Sequence, residues 1–176
     1  MYDKTFRVVI FGDHKVGRAT LSENFLHSCF PIDQMNIGIM FFTISIKIKD
    51  KHYVLSIWSI TQRFRFLHPG YVKGANGAIY LYDITNSESL NHLHKFIALI
   101  RENSGDIPIM LIGNKLDLEK KREVTREEGI NIAEKYKLSG FGEISAKTGQ
   151  NVDITFETLT EIMIESSLQK KPDTKE

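Results

Sequence analysis

Apolar residues in this chain gather into short blocks that alternate between two rhythms. Residues 6–11 (FRVVIF) form a short apolar run that stops at Gly12 and read as a buried strand. Residues 41–49 (FFTISIKIK) alternate, with Ile44, Ile46 and Ile48 on one face. Residues 53–58 (YVLSIW) follow after Asp50-Lys51-His52, and the two segments predict an antiparallel hairpin. Residues 78–82 (AIYLY) and 107–112 (IPIMLI) are further buried strands. Between these blocks the spacing lengthens to that of helices. One helix is predicted over 16–28, with Leu21, Phe25 and Leu26 as its inner stripe. Another is predicted over 87–103, with Leu90, Leu93, Ile97 and Ile100 facing inward. Thr125 and Glu128 form a capping box ahead of Ile130, Ile132 and Ala133 and open a further helix. The last helix starts near Asn151, where Val152, Phe156, Leu159 and Met163 recur at helical spacing on one face.

Strands alternating with helices of this length predict an α/β fold, with a mostly parallel sheet covered by helices on both faces. Ligands of such sheets sit beyond the C-terminal ends of the strands. Three strand ends carry polar sequences, at Gly12, Gly113 and Ser145, so all three are expected to open onto one crevice. The chain has 176 residues, 41% apolar and 26% charged, the size of one domain. That domain is expected over 1–170, followed by a short polar tail at 171–176. With 23 basic and 22 acidic side chains the net charge is +1, which gives no basis for nucleic acid or an anionic membrane as main partner. Cys29 is the one cysteine, so no internal disulfide forms; a cytoplasmic location and a monomer are expected. No apolar run of about 18 residues is present to span a bilayer. The closing residues KKPDTKE hold no cysteine, so no prenyl lipid anchor is expected in this chain.

After the first strand comes Gly12-Asp13-His14-Lys15-Val16-Gly17-Arg18-Ala19, then Thr20. A phosphate-cradling loop reads G-x-x-x-x-G-K-[ST] between a strand and a helix. Both glycines stand at that spacing and would let backbone N–H groups wrap an anion at the helix N-terminus. The two side chains that do the chemistry differ. Arg18 replaces the lysine that reaches phosphate; it keeps the charge but is longer and planar. Ala19 replaces the hydroxyl that ligates Mg²⁺ and offers no oxygen. Thr20 is displaced by about 100° around the helix. The same glycine spacing also serves a tight strand-to-helix turn that holds no ligand.

Asn114-Lys115-Leu116-Asp117 directly follows the strand IPIMLIG, and Ser145-Ala146-Lys147 follows the short segment 141–144. With these motifs the chain resembles the Ras superfamily of small GTPases, and most closely its Rab branch. The segments LHPGYVKGA (67–75), AIYLYDIT (78–85) and Ser87-Glu88-Ser89-Leu90 also resemble Rab sequences in order, so the likeness runs from about residue 5 to 168. It implies the P-loop NTPase, small-GTPase fold with a mostly parallel six-stranded sheet, and a guanine nucleotide, GTP or GDP, as ligand. By the resemblance Asp117 accepts from the guanine ring N1–H and exocyclic amine, Lys115 lies over the base, and Asn114 ties the motif to the phosphate loop. Ser145, Ala146 and Lys147 complete the base site, with the Ala146 N–H donating to guanine O6. A carboxylate that loses its donor pair forfeits charge-assisted bonds of roughly 1.5–3 kcal/mol each, the source of selectivity for guanine. Phe30 matches an aromatic that packs edgewise on the base; a core-filling role fits it equally.

The departures cluster where the family holds its metal and γ-phosphate. Asn36 stands in the place of a switch threonine, Ser59 in that of an aspartate, and the glycine of the second switch is missing from Trp58-Ser59-Ile60-Thr61-Gln62. Gln62 corresponds to the glutamine that orients the attacking water, or is an exposed polar loop residue. No residue is assigned to a metal. Mg²⁺ binding is expected to be weak or absent and hydrolysis weak, because phosphoryl transfer rests on positioning and electrostatics. Phe41, Trp58 and Tyr71 match an aromatic triad that Rab-like proteins present to effector proteins; packing within the hairpin is the other reading. Three functions are compatible: a degenerate guanine-nucleotide-binding switch or adaptor, a slow GTPase using altered residues, and a nucleotide-free scaffold in which Arg18 fills the phosphate site.

Overall fold

The first strand, β1 (Lys4–Phe11), shows why the molecule is layered. Phe6, Val8 and Ile10 point to one side, Val9 and Phe11 to the other, and all five are buried. A strand apolar on both faces needs cover on both. The computed structural model describes residues 2–25, 39–60 and 68–169. Within them β1 leads to α1 (Arg18–Phe25), then the hairpin β2 (Ile39–Ile48) and β3 (Lys51–Ile60), and the short α2 (His68–Val72). There follow β4 (Gly77–Asp83), α3 (Leu93–Ser104), β5 (Ile109–Asn114), α4 (Arg126–Lys135), β6 (Gly140–Glu143) and α5 (Val152–Gln169). The strands form a six-stranded sheet in the order β2-β3-β1-β4-β5-β6, with β2 antiparallel to β3 and every other pairing parallel.

Phe6, Val8 and Ile10 pack with Leu21 of α1 and with Phe156, Leu159 and Met163 of α5. On the opposite face Val9 and Phe11 meet Val72 of α2, Leu93, Phe96, Ile97 and Ile100 of α3, and Ala133 of α4. The predicted stripe of α5 is therefore its buried face. No helix among the described residues is long and apolar enough to cross a membrane.

Two expectations are corrected. The first helix starts at Arg18, not at residue 16, because Val16 and Gly17 stay in the turn, with Gly17 at φ 98. The helix predicted over 87–103 is broken in two. Ser87–Leu90 is a 3-10 turn capped by Asn86, and α3 starts afresh at Leu93. The break follows from Ser89, whose buried hydroxyl accepts from the Asp83 N–H at 2.9 Å and donates to the Asn86 carbonyl at 2.6 Å. In α4, Ile130 faces solvent and Gly129 faces the sheet. A Cβ on Gly129 would run into the Phe141 ring and, 2.8 Å away, the Tyr82 hydroxyl, so only a glycine lets the helix lie this close.

Candidate functional site

At the end of β1 the chain turns through Gly12–Gly17 into α1. A Cβ on Gly12 would strike the Leu81 carbonyl, and one on Gly17 the Asn114 side-chain amide. Lys15 and Gly17 both take positive φ, 66 and 98. Left-handed residues interspersed in a turn aim successive N–H groups into one concavity, the geometry of an anion nest. Lys15 adopts that conformation despite its side chain, at a cost of about 1–2 kcal/mol. His14, Lys15 and Ala19 are exposed, Val16 is buried, and Asp13, Arg18 and Thr20 are half-buried.

Beneath the loop lies a polar cluster. The His92 Nδ1 sits 2.9 and 3.1 Å from the two carboxylate oxygens of Asp13, and the Tyr80 hydroxyl is 3.4 Å from Asp13 Oδ1. Burial pushes the Tyr80 phenol far above its ordinary range, and the Asp13 charge adds to that shift. Burial pushes the Arg18 guanidinium down, while Asp13 and Tyr80 oppose the shift. Ser59, near the end of β3 and paired in register with Ile10, is 1% exposed, and its hydroxyl has no hydrogen-bond partner among the described residues.

The second half of the crevice is built around Asn114, the last residue of β5 and 1% exposed. Its Nδ2 donates to the Val16 carbonyl at 2.8 Å and its Oδ1 accepts from the Ala146 N–H at 2.8 Å. One side chain thus clasps the turn after β1 to the segment after β6. Lys115 follows in the left-handed region (φ 70), and its Nζ lies 2.5 Å from Asp83 Oδ2 at the end of β4. The other Asp83 oxygen accepts from the Thr85 N–H and hydroxyl at 2.8 and 2.7 Å. Asp117 is exposed, with Oδ1 accepting from the Ser145 hydroxyl at 2.6 Å. Ser145 is buried and also accepts from the Thr148 N–H at 3.2 Å; Lys147 is exposed.

The residues expected at the three strand ends are therefore brought together. The Ala146 N–H donates to Asn114 Oδ1. Phe30, Asn36 and Gln62 lie outside the described residues. Three contributors escaped the sequence reading. Asn24 of α1 donates to the Ala146 carbonyl at 3.1 Å, Asp83 holds Lys115, and His92 holds Asp13. A carboxylate closing an otherwise apolar strand, as Asp83 does, was a readable signal; Asn24 and His92 offered none.

Phe41, Trp58 and Tyr71 meet as expected. The Phe41 and Trp58 rings stand edge to face at 4.5 Å, and Trp58 and Tyr71 are 5.8 Å apart. The Arg7 guanidinium lies 3.6 Å from the Trp58 ring centre and donates to the Tyr71 carbonyl at 2.6 Å. All three rings are half-buried, which lets one cluster both close the hairpin and show a face to solvent.

Mg²⁺ takes oxygen ligands. Ala19 supplies a methyl group and Ser59 a neutral hydroxyl. Among the described residues no group of three or more His, Cys, Asp or Glu is placed to hold a metal.

Comparison with known proteins agrees with this geometry. A sequence model described as the Ras family matches residues 7–165. The "Ras-related protein Rab-2B" of Dictyostelium discoideum is 38% identical over 175 residues, covering 97% of this chain and 86% of that protein.

Proposed function

The chain belongs to the Ras family and is Rab-like, and from that premise we propose that it is a guanine-nucleotide-binding switch or adaptor of weak or absent GTPase activity. The observation that carries this is the contrast between the two ends of the crevice. Asn114 is held by Val16, Lys115 by Asp83 and Asp117 by Ser145, which supports a base site at these strand ends. Ala19 and Ser59 offer a divalent cation no charged ligand. Asp117 reads the base through its exposed carboxylate, held in place by Ser145. Lys115 lays its stem along the base while Asp83 fixes its ammonium. The loop N–H groups and Arg18 take the phosphates. A charged fork is a good phosphate partner, but its planar reach differs from that of lysine, and the γ-phosphate loses its usual contacts. Mg²⁺ then adds little to affinity, and hydrolysis, which depends on electrostatic positioning, falls with it. Phe41, Trp58 and Tyr71 remain as an aromatic anchor for an effector protein.

A second reading is favoured by Arg18 alone. Its half-buried guanidinium feels the charge of Asp13, as it would if it occupied the phosphate place in a nucleotide-free scaffold. One experiment separates the two. Protein purified with Mg²⁺ and, in parallel, with EDTA is denatured and the released nucleotide identified by chromatography. GDP or GTP in similar amounts from both preparations is the expected result. Protein free of nucleotide, whose melting temperature excess GDP does not move, would favour the scaffold.

A further inference from the structure

A cleft of about 330 Å³ lies between the 3-10 turn Ser87–Leu90, the loop before α4 and one face of α4. It shares no lining residue with the nucleotide crevice or with Phe41, Trp58 and Tyr71. Its floor is apolar, made by Leu90, Val124 and Ile132, which pack into the core on the α3 side of the sheet. The floor is fixed from below, because the Ile84 carbonyl just past β4 accepts from the Glu123 and Val124 N–H groups at 2.8 and 3.0 Å. The rim is polar and exposed. Glu128 and Asn131 line it from α4, three positions apart on one face, and Glu123 lines it from the loop. Glu123 Oε2 accepts from the Ser87 N–H at 2.9 Å, and Glu128 Oε2 from the Thr125 N–H and hydroxyl at 2.7 and 2.8 Å. Both carboxylates are therefore held in place before any ligand arrives, which lowers the ordering cost of binding. Among the described residues neither is in an ion pair, and no basic side chain lines the cleft. The neighbouring cations are engaged elsewhere. Arg122 holds both Glu143 oxygens at 2.6 and 3.2 Å, and Arg126 lies 3.6 Å from one of them.

We propose that this cleft is a docking site for an arginine side chain of a partner protein. The arginine stem lies along Leu90, Val124 and Ile132, and the guanidinium reaches the two anchored carboxylates at the rim. Two fixed carboxylates suit a planar fork of donors better than the point charge of lysine. An acidic occupant is repelled by Glu123 and Glu128. A purely apolar one would take water from both carboxylates and give them no partner. The exposed rim opens the cleft to a neighbouring surface, and its volume is at the lower end of the range of about 300–1,000 Å³ for small-molecule sites. One arginine fills such a space, and the interface around it supplies the remaining affinity, the usual arrangement of an arginine anchor. The site stands independently of whether the crevice holds a nucleotide.

The test is a backbone-amide NMR titration of the full chain with a blocked Gly-Gly-Arg-Gly-Gly peptide. Saturable shifts centred on Leu90, Val124, Asn131 and Ile132 are expected. The same peptide with citrulline, which keeps the shape of arginine without its charge, is expected to bind about tenfold more weakly, the loss of a charge-assisted hydrogen bond. Glu123→Gln, whose side-chain oxygen can still accept from the Ser87 N–H, is expected to weaken the arginine peptide by about the same factor and to leave the citrulline peptide unchanged. Glu123→Lys is expected to abolish binding of the arginine peptide. The arginine and citrulline comparison on the parent protein decides the matter if Glu123→Lys does not fold. Equal affinity for the two peptides, equal affinity for a leucine peptide, or shifts centred elsewhere would overturn the proposal. Agmatine, a free guanidine on an alkyl stem, shifting these amides where the arginine peptide does not would assign the cleft to a small amine and overturn the protein partner.

Discussion

At Asp117 one carboxylate oxygen is bound by the buried Ser145 hydroxyl at 2.6 Å while the residue itself remains open to solvent. In the proposed base site this carboxylate, held on one side and exposed on the other, accepts from a planar donor pair. Asp117→Asn is expected to weaken GDP affinity by about 10- to 100-fold, since each charge-assisted bond is worth roughly 1.5–3 kcal/mol, and to favour xanthosine diphosphate instead. Competition titration of the two nucleotides checks this. Ala19 and Ser59 yield a prediction of opposite sign. Ala19→Ser combined with Ser59→Asp restores an alcohol and a carboxylate beside the nest, and is expected to make GDP affinity rise with Mg²⁺ where the parent protein responds little. Calorimetry with and without EDTA reads the difference. Most of these residues were legible in the sequence because their motifs are contiguous. What the motif does not reveal is that the Ala146 N–H also meets the Asn114 side chain, which comes from a different strand end.

At the scale of elements, α4 shows how local chemistry and packing divide the work. Its start is set locally. The Thr125 hydroxyl accepts from the Glu128 N–H at 3.1 Å, and the Glu128 carboxylate accepts from the Thr125 N–H at 2.7 Å. The Thr125 N–H and, at 2.8 Å, the Thr125 hydroxyl both donate to the Glu128 carboxylate and hold it below its usual range. Because the folded value is depressed, the stabilisation is present at neutral pH and is lost as pH falls through that folded value. The melting temperature of the parent protein is expected to fall toward that of Glu128→Gln as pH is lowered through this range. Thr125→Ala is expected to cost about 1 kcal/mol at neutral pH by denaturant unfolding. The middle of α4 is set by packing. Gly129→Ala should help an isolated helix by about 1 kcal/mol. Here it is expected to destabilise, because the added methyl meets Phe141 and the Tyr82 hydroxyl. The same division explains the broken helix before α3: apolar spacing ran through residues 87–103, but Ser89 spends its hydroxyl on Asp83 and Asn86.

For the molecule as a whole, stability and site share the same supports. Leu159 is fully buried where α5 crosses the sheet, and Leu159→Ala is expected to cost about 2–5 kcal/mol by urea unfolding. Glu143 in β6 is also buried, and Arg122 grips both its oxygens at 2.6 and 3.2 Å. This bond draws the loop before α4 onto the strand that precedes Ser145, so a change here should reach the base site too. The order β2-β3-β1-β4-β5-β6 places β1 at the middle, where the chain reverses its direction across the sheet. Such a reversal opens a crevice at the C-terminal strand ends, and the phosphate and base motifs flank it.

The amino-acid order by itself determined the alternation of strands and helices, the inner faces of β1 and α5, the cap of α4 and the contiguous motifs that line the crevice. These depend on neighbours within a few residues, whose spacing a reader can see. Only the tertiary structure decided which distant groups meet: Asn114 with Val16 and Ala146, Lys115 with Asp83, and Asp13 with His92. Such pairings arise because the two-sided core brings strand ends into register, and a hydrogen bond needs its partners within about 3 Å wherever they lie along the chain.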